Sequence, residues 1–249
     1  MKIAGISKDT LLGRILRLPL KLVPGSARVP ILRGRLRGTK WIAGSSANNG
    51  CWLGSYEYEQ RLAFEKLVPE NATVYDVGAH AGFYTLLSSL LVGPRGRVIA
   101  FEPLPRNLHF LREHLRLNHV TNVEVIETAL AERAGEVNFA EGVNSFNARI
   151  ATDGGIRVKT AALDELVGGG RLPAPDYIKM DIEGAETLAL KGAGHTLKKY
   201  HPTIFLTTHG PDIHEECVDI LKEAGYELVF LDSEGKKGIS RKIVARFPG

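Results

Sequence analysis

Residues 74–85, which read Val-Tyr-Asp-Val-Gly-Ala-His-Ala-Gly-Phe-Tyr-Thr, constrain the fold more than any other stretch of this chain. The mostly apolar residues 74–77 predict a short buried strand, and residues 83–92 continue with the apolar spacing of a helix. Gly78 and Gly82 lie between the two and predict a tight turn. A strand that ends at glycines and leads into a helix is typical of a parallel α/β sheet, which presents backbone N–H groups to a nucleotide-like ligand at that turn.

The spacing of the turn indicates which kind of ligand fits. It reads Asp-x-Gly-x-x-x-Gly from Asp76 to Gly82, which differs from the Gly-x-Gly-x-x-Gly spacing that suits a dinucleotide pyrophosphate. The carboxylate of Asp76 would repel a pyrophosphate and attract a cationic amino-acid group. A glycine turn needed only for packing a helix against a strand is the alternative interpretation.

A second acidic residue supports a ligand site. The β-prone segment 97–101 ends at Glu102, twenty residues after Gly82. An acidic residue at the end of the second strand commonly accepts hydrogen bonds from a pair of ribose hydroxyls. Together, the glycine turn and Glu102 resemble the cofactor half of methyltransferases that use S-adenosylmethionine, so we predict S-adenosyl-L-methionine as the cofactor.

The rest of the chain alternates between strand and helix patterns. The pattern predicts an α/β fold with a Rossmann-like, doubly wound, mostly parallel seven-stranded methyltransferase sheet and a terminal antiparallel hairpin. The predicted elements after the second strand are helix 105–118, strands 123–127, 136–140, 156–161 and 176–180, helical segments around 185–199, strand 203–208, helix 212–223 and the hairpin strands 226–231 and 242–247.

Length and composition fit one α/β enzyme with an appendage. The 249 residues, of which 44% are hydrophobic, are enough for a full core. The two cysteines lie far apart and match no metal-ligand spacing, which favours a reducing, cytoplasmic compartment. We predict three parts: a basic arm over residues 1–40, an appended segment over residues 41–72, and the methyltransferase domain over residues 73–249. The appended segment is expected to hold a hairpin of residues 40–42 and 51–53, followed by a helix over residues 56–67.

The basic arm carries most of the charge asymmetry. Residues 1–40 contain ten basic residues and one acidic residue, a net charge of +9, whereas the rest of the chain has a net charge of −5. The apolar run at residues 11–18 is too short for a transmembrane span, and Arg14 and Arg17 interrupt it. We weigh three interpretations: a helix docked on the enzyme's own core, which we favour; peripheral contact with an anionic membrane at its inner face; and a nucleic-acid contact, which the lack of interleaved aromatic residues disfavours.

A second group of acidic residues follows strand 176–180. Ligands of an open α/β sheet bind beyond the carboxyl ends of its strands, so we expect Asp181 and Glu183 near the reactive end of the methyl donor. We predict that Asp181 orders the cofactor or receives a proton and that Glu183 faces the substrate. Glu186 is expected to serve the start of the next helix, where a carboxylate offsets the helix dipole. A solvated acidic turn is the alternative interpretation.

Several motifs together resemble the FkbM-type methyltransferases over about residues 40–230. The resemblance rests chiefly on Phe-Glu-Pro at residues 101–103 and on Lys-x-Asp-x-Glu-Gly-x-Glu at residues 179–186. It implies S-adenosylmethionine as the cofactor and usually O-methylation, often of a sugar or polyketide hydroxyl. Further matching stretches are residues 52–57, 74–85, 117–118, 128–130 and 162–166.

The sixth strand departs from that family pattern. The family often has Ile-x-x-Glu-x-His there, whereas this chain reads Ile-Phe-Leu-Thr-Thr-His, with Thr207 in place of the glutamate. A second acid beside Glu183 is therefore missing, and we predict no metal site. His209 is retained, and its ordinary pKa makes it a candidate proton acceptor. A histidine that only forms a local hydrogen bond is the alternative.

The predicted function is O-methylation of a hydroxyl group on a small molecule, sugar, glycan or secondary metabolite. Two alternatives stay open: a nucleic-acid methyltransferase that uses the basic arm, and a non-catalytic module that binds S-adenosylmethionine. The sequence leaves the oligomeric state open. The predicted catalytic residues are Asp181, Glu183 and His209. The predicted cofactor-binding residues are Asp76, Gly78, His80, Gly82, Tyr84, Thr85, Glu102, Ala129 and Asp181.

Overall fold

A computed structural model describes residues 20, 22–140, 149–151, 155–231 and 241–248. The chain divides into two compact units, residues 1–58 and residues 59–249. The predicted three-part division at residues 40 and 72 stays a prediction. The apolar run of the basic arm, residues 11–18, lies outside the described residues.

The first unit contains a short antiparallel pair of strands, β1 (Arg28–Pro30) and β2 (Lys40–Ile42), then a 3-10 turn (Ala43–Ser45) and helix α1 (Gly50–Leu53). The predicted hairpin of residues 40–42 with 51–53 is therefore wrong, because β2 pairs with the earlier strand and residues 51–53 are helical. The local sequence explains the helix. Oδ1 of Asn48 accepts the N–H of Gly50 at 2.8 Å, and Gly54, with φ +80°, ends the helix in a left-handed conformation.

The second unit is built on strands and helices that alternate along the chain. Its strands are β3 (Thr73–Val77), β4 (Arg97–Phe101), β5 (Val123–Ile126), β6 (Ala129–Leu130), β7 (Gly135–Ala140), β8 (Arg149–Ala151), β9 (Ile156–Ala161), β10 (Tyr177–Met180), β11 (Thr203–Thr207), β12 (Glu227–Phe230) and β13 (Lys242–Arg246). Its helices are α2 (Tyr58–Leu67), which begins at the unit boundary, α3 (Phe83–Val92), α4 (Pro105–Leu117), α5 (Leu163–Gly168), α6 (Glu186–Lys191), α7 (Gly194–Tyr200) and α8 (Pro211–Glu223).

The central sheet of the described chain has seven strands in the order β12-β13-β11-β10-β3-β4-β5. The five strands from β11 to β5 are parallel, and β13 is antiparallel to both of its neighbours. This confirms the predicted Rossmann-like, mostly parallel sheet with a terminal antiparallel hairpin. The near-continuous burial of β3, β4 and β11 is typical of parallel strands covered by helices on both faces.

The sequence pattern predicted the strands observed as β7 and β9, but it did not predict β6, β8, helix α5 or a second sheet. Strand β6 and strands β7 to β9 form a separate four-stranded sheet in the order β6-β9-β7-β8. Helix α5 follows it, and Asp164 on that helix accepts the N–H groups of His195 and Thr196 in the first turn of α7 at 2.8 and 2.7 Å. Strands β6 and β8 and helix α5 have only two, three and six residues, so their sequences show little periodicity.

The packing of the sheet fixes where the candidate site lies. Apolar side chains of β3, β4, β10 and β11 are almost completely buried. On one face, the ring of Phe64 from α2 contacts the rings of Phe205 and Tyr84, with centroids 4.9 and 5.3 Å apart. Helices α2 and α3 are therefore held close to the carboxyl ends of β3, β10 and β11. Within the described residues, no helix is both long enough and apolar enough to span a bilayer.

Candidate active site

The glycine turn after β3 has the conformation that its sequence predicts. Gly78, His80 and Gly82 all have positive φ angles, of +82°, +51° and +92°. At Gly78 a side chain is excluded, because a Cβ atom there would lie 2.1 Å from the carbonyl oxygen of Asp181. The turn therefore lies directly against the chain that leaves β10, and its glycine is required by close backbone approach.

Glu102 lies at the end of β4 and is tied to this turn. Its Oε2 accepts the N–H of His80 at 2.7 Å, and its Oε1 accepts the N–H of Leu104 at 2.9 Å and the amide of Asn107 at 3.2 Å. The side chain is only 3% exposed, and burial raises its pKa to about 7, against the opposing effect of these hydrogen bonds. Each carboxylate oxygen can accept more than one hydrogen bond, so the group is placed to accept ribose hydroxyls.

Asp76 is a buried carboxylate at the end of β3. Thr85 donates its hydroxyl to Oδ2 of Asp76 at 2.5 Å. Burial raises the pKa of Asp76 to about 6, although the bond from Thr85 and the nearby charge of Lys179 act in the opposite direction. Asp76 and Lys179 are register partners on adjacent parallel strands, so the lysine lies beside the carboxylate within the sheet.

Among the lysines and arginines of the described chain, Lys179 has the most deeply buried side chain. It is 1% exposed, its Nζ lies 3.4 Å from Oδ2 of Asp181, and it lies 4.8 Å from the centre of the Tyr84 ring. A buried ammonium group needs a charged or aromatic partner to offset lost hydration. Lys179 therefore links the carboxylates at the ends of β3 and β10.

Three of the predicted residues converge at the carboxyl ends of β10 and β11. Nε2 of His209 lies 3.5 Å from Oδ1 of Asp181 and 3.6 Å from Oε2 of Glu183. One ligand-type atom from each of the three lies within 4.8 Å of the others, and all three side chains are half-buried. We refer to Asp181, Glu183 and His209 as the acidic-histidine cluster. The sequence predicted no metal site because position 207 lacks an acid. In the structure, three potential ligands lie close together without one at that position.

Glu186 lies at the start of α6, as predicted, and makes a contact with His209 that was not predicted. Its side chain is 0% exposed, and its Oε1 lies 2.7 Å from Nδ1 of His209 and accepts the N–H of Gly184 at 3.1 Å. An ionised carboxylate can only accept hydrogen bonds, so Nδ1 of His209 carries the proton. The other oxygen of Glu186 has no hydrogen-bond partner among the described residues. Glu186 thus fixes the tautomer and the ring plane of His209, in addition to its place in the first turn of α6.

The charges around His209 change its titration. Burial alone lowers the pKa of His209, but the hydrogen bond to Glu186 and the charges of Asp181 and Glu183 outweigh it, so the pKa is raised above its ordinary value. Glu183 has a positive φ angle of +54°, and Gly184 follows with φ +106°, so the chain turns sharply between Asp181 and α6. This turn brings the side chains at positions 181 and 183 toward the same histidine.

The other predicted cofactor residues lie in different surroundings. Tyr84 and Thr85 are buried in the first turn of α3, where they contact Lys179 and Asp76. His80 is half-buried on the glycine turn, and burial, together with the charge of Arg106, lowers its pKa to about 4. Ala129 lies in β6, in the second sheet, three residues beyond the end of β5.

Thr207 occupies the position of the missing family glutamate. It is buried, and its hydroxyl donates to Oε1 of the fully buried Gln60 at 3.4 Å. The amide nitrogen of Gln60 has no hydrogen-bond partner among the described residues. Nothing in the local sequence around Gln60 signals this contact, because 147 residues separate it from Thr207.

The chain is similar to known methyltransferases. The family model described as "Methyltransferase FkbM domain" matches residues 76–228, more than half of the chain. The chain is 29% identical, over 66% of its length, to the hexuronic acid methyltransferase AglP of Haloferax volcanii, and 26% identical, over 56% of its length, to the 2-O-methyltransferase NoeI of Sinorhizobium fredii. These alignments span 66% and 63% of the relatives' own lengths.

A solved structure supports the fold. The FkbM methyltransferase of Methylobacillus flagellatus aligns with 82% of this chain and 56% of its own, at a TM-score of 0.53 and 19% identity. At that identity the likeness concerns the fold alone.

Proposed function

Because the chain belongs to the FkbM methyltransferase family, we propose that it transfers the methyl group of S-adenosylmethionine to a hydroxyl group of a sugar or glycan. The observation that carries the proposal is the contact between two parts of the sheet edge. The glycine turn at Gly78 lies directly against the backbone of Asp181, the first residue of the acidic-histidine cluster. A cofactor held at the turn would therefore present its reactive end beside that cluster.

The residues at the turn fit S-adenosylmethionine. Glu102 offers carboxylate oxygens to the ribose hydroxyls, and the turn from Gly78 to Gly82 offers backbone N–H groups beside it. The negative charges of Asp76 and Asp181 suit the cationic methionine end of the cofactor. When bound, the cofactor supplies a methyl group that its sulfonium has already activated.

The chain itself must then hold the acceptor oxygen in line with the sulfur–methyl bond and remove its proton. Correct orientation accounts for a large part of such rate enhancements. A sugar hydroxyl is a weak nucleophile at neutral pH, so proton removal at the acidic-histidine cluster adds a further contribution of about 10²–10⁴-fold. The half-buried side chains of Asp181, Glu183 and His209 leave room for a hydroxyl group to reach them.

The choice of a sugar acceptor is supported by the relatives. One is named a hexuronic acid methyltransferase and the other a 2-O-methyltransferase. A methyl group on a uronic acid can form an ether at a hydroxyl or an ester at the carboxylate. We propose the ether, because the acidic-histidine cluster offers proton-accepting groups at the site. A hydroxyl acceptor needs such groups, whereas an ionised carboxylate does not.

The proposal is tested by incubating the purified protein with S-adenosylmethionine labelled in its methyl group. The acceptors are uronic-acid oligosaccharides, neutral oligosaccharides and RNA. We expect label in an oligosaccharide fraction and stable to mild alkali, which cleaves a methyl ester and leaves an ether. Label in RNA, or alkali-labile label, would contradict the proposed acceptor group. Cofactor binding in calorimetry without transfer to any fraction would instead favour a binding module.

A further inference from the structure

We propose that the acidic-histidine cluster binds a divalent cation of the first transition series through Oδ1 of Asp181, Oε2 of Glu183 and Nε2 of His209. This proposal rests on the proposed function, since it assigns to the cation the task of holding and activating the acceptor hydroxyl. It replaces the expectation, drawn from the sequence, that the chain has no metal site.

The two separations from His209 within the cluster fit ligands of one ion better than hydrogen-bonded partners. Nε2 of His209 lies 3.5 and 3.6 Å from the carboxylate oxygens of Asp181 and Glu183, too far for a good hydrogen bond. Ligands about 2.1 Å from a tetrahedral metal ion lie about 3.4 Å apart. By contrast, Nδ1 on the other side of the same ring lies 2.7 Å from Glu186, at a true hydrogen-bond distance.

Glu186 supplies an independent observation that points to a ligand at Nε2. Because Nδ1 donates to this carboxylate, a neutral His209 directs the lone pair of Nε2 toward Asp181 and Glu183. Three electron-pair donors then face one another, which is favourable only with a cation or a proton among them. A carboxylate that holds the outer nitrogen of a metal-binding histidine is a recurrent arrangement, which orients the ring and increases its basicity.

The number of carboxylates around His209 also favours a bound cation. Asp181, Glu183 and Glu186 place three carboxylates around one imidazole, and Glu186 is fully buried with one oxygen that has no hydrogen-bond partner among the described residues. Lys179 offsets part of this charge, but its Nζ lies beside Oδ2 of Asp181, which leaves Oδ1 directed to the cluster. A divalent cation among Oδ1 of Asp181, Oε2 of Glu183 and Nε2 of His209 would offset negative charge at the point where the two carboxylates and the ring meet.

The ligand set also indicates the class of ion and the type of site. Two carboxylate oxygens and one imidazole nitrogen suit Mn²⁺, Fe²⁺ or Zn²⁺ better than Mg²⁺ or Ca²⁺, which prefer oxygen alone. Three protein ligands leave coordination positions open, as in catalytic rather than structural sites. A hydroxyl bound at an open position loses its proton more readily, and that proton passes to solvent. The oxygen then forms its bond to carbon as the sulfur–carbon bond of the donor breaks.

The test uses the full chain freed of metal by a chelator and dialysed. Mn²⁺ is titrated in and followed by electron paramagnetic resonance and by calorimetry, with Mg²⁺ as the comparison ion. We expect one Mn²⁺ per chain, tighter than Mg²⁺, and a nitrogen coupling to Mn²⁺ in the spin-echo spectrum. Asp181→Asn, Glu183→Gln and His209→Asn should each weaken Mn²⁺ binding at least tenfold, and His209→Asn should remove the nitrogen coupling.

Two further variants separate the site from the bulk charge of the protein. Glu186→Gln should weaken Mn²⁺ about 10–100-fold, the effect of removing an outer carboxylate from a metal-binding histidine. Asp212→Asn, an exposed acid on α8, should leave Mn²⁺ affinity unchanged. Circular dichroism and the melting temperature of each variant report whether the fold is kept.

Some outcomes would overturn the cation and leave the proposed function standing. If wild-type protein binds no Mn²⁺, or binds it without the nitrogen coupling, the proposal is wrong. The same holds if the metal-free protein, kept in chelator, methylates its acceptor at the full rate. A protein that binds Mn²⁺ at this site but transfers no methyl group to any acceptor would contradict the proposed function and leave the cation site intact.

Discussion

Nδ1 of His209 lies 2.7 Å from Oε1 of Glu186, a side chain with no exposed surface. His209 follows strand β11, whereas Glu186 is the first residue of helix α6, so the contact joins two elements that meet at one edge of the sheet. Through it, a buried carboxylate sets the orientation of a half-buried ring. Glu186 therefore sets the position of His209, one of the residues that we propose to face the acceptor, while its own side chain stays buried.

This relationship predicts the effect of replacing Glu186. Glu186→Gln removes the charge that holds the tautomer of His209, and we expect methyl transfer to slow by about 10–100-fold. Affinity for S-adenosylmethionine, measured by calorimetry, should change little, because the side chain of Glu186 bonds to His209 and Gly184 and not to Glu102 or the glycine turn. Glu165→Gln, an exposed acid on α5, is the matched control and should keep full turnover. Full turnover in Glu186→Gln would contradict the positioning role.

A second prediction concerns the ribose contact. Glu102→Ala should weaken S-adenosylmethionine by roughly 1.5–3 kcal/mol, the range for hydrogen bonds to a charged group. Its other partners, the N–H groups of His80 and Leu104, face the same site, so the loop geometry is best checked by circular dichroism. Glu227→Ala, an exposed acid on β12, should leave cofactor affinity as it is. Unchanged affinity in a folded Glu102→Ala protein would show that the ribose lies elsewhere.

The raised pKa of Glu102 gives a third prediction, on pH. Burial raises the pKa of this carboxyl to about 7, so it becomes protonated as the pH falls through that value. The protonated group accepts fewer hydrogen bonds, so the affinity for S-adenosylmethionine should be lower at pH 6 than at pH 8. Glu102→Gln, which has no proton to gain, should show a flatter dependence over this range. An equal slope in both proteins would assign the dependence to another group.

Much of the cofactor half could be predicted from the sequence because its signals are local. The turn between Gly78 and Gly82 and the acid at the end of β4 lie within 25 residues of one another, and the glycines are required by backbone angles that side chains disfavour. The positions of the central strands along the chain followed from their apolar runs. The strand predicted at residues 51–53 was wrong because an asparagine and two glycines favour a short capped helix there.

The acceptor half was harder to predict because its contacts join distant parts of the chain. The sequence indicated Asp181, Glu183 and His209 one by one, but not their approach to one another. The bond between Glu186 and His209 spans 23 residues and depends on where α6 begins relative to β11. A lysine in a strand gives no sign that it will be 1% exposed, as Lys179 is, because its burial depends on Tyr84 and Asp181.

A fourth prediction concerns the basic arm, whose charge is known from the sequence alone. Residues 1–40 carry a net charge of +9, and each basic group near an anionic surface contributes about 1 kcal/mol to membrane binding. If the arm is a membrane anchor, the full chain should sediment with vesicles of anionic lipid at low salt, and removal of residues 1–19 should weaken this. A docked arm predicts no sedimentation and a lower melting temperature after truncation. Vesicle binding that survives truncation would exclude residues 1–19 as the anchor.

The close approach at Gly78 predicts the largest effect of a single methyl group in the molecule's cofactor half. Gly78→Ala combines a left-handed backbone, which costs an alanine about 1–2 kcal/mol, with a Cβ 2.1 Å from the backbone oxygen of Asp181. Gly170→Ala is the matched control, because Gly170 also has a positive φ angle, of +70°, but has nothing within 4 Å of the added carbon.

Both variants place an alanine at a positive φ angle, so the difference between them reports chiefly the clash with Asp181. Because that oxygen belongs to the chain leaving a central strand, it cannot move aside as a flexible side chain would, and overpacking of this kind adds about 1–3 kcal/mol. Urea unfolding should therefore show a larger loss of stability in Gly78→Ala than in Gly170→Ala. Only Gly78→Ala should also lose affinity for S-adenosylmethionine and slow methyl transfer, since the displaced backbone carries Asp181. Equal losses in the two variants would mean that the turn and the acidic-histidine cluster are not in contact.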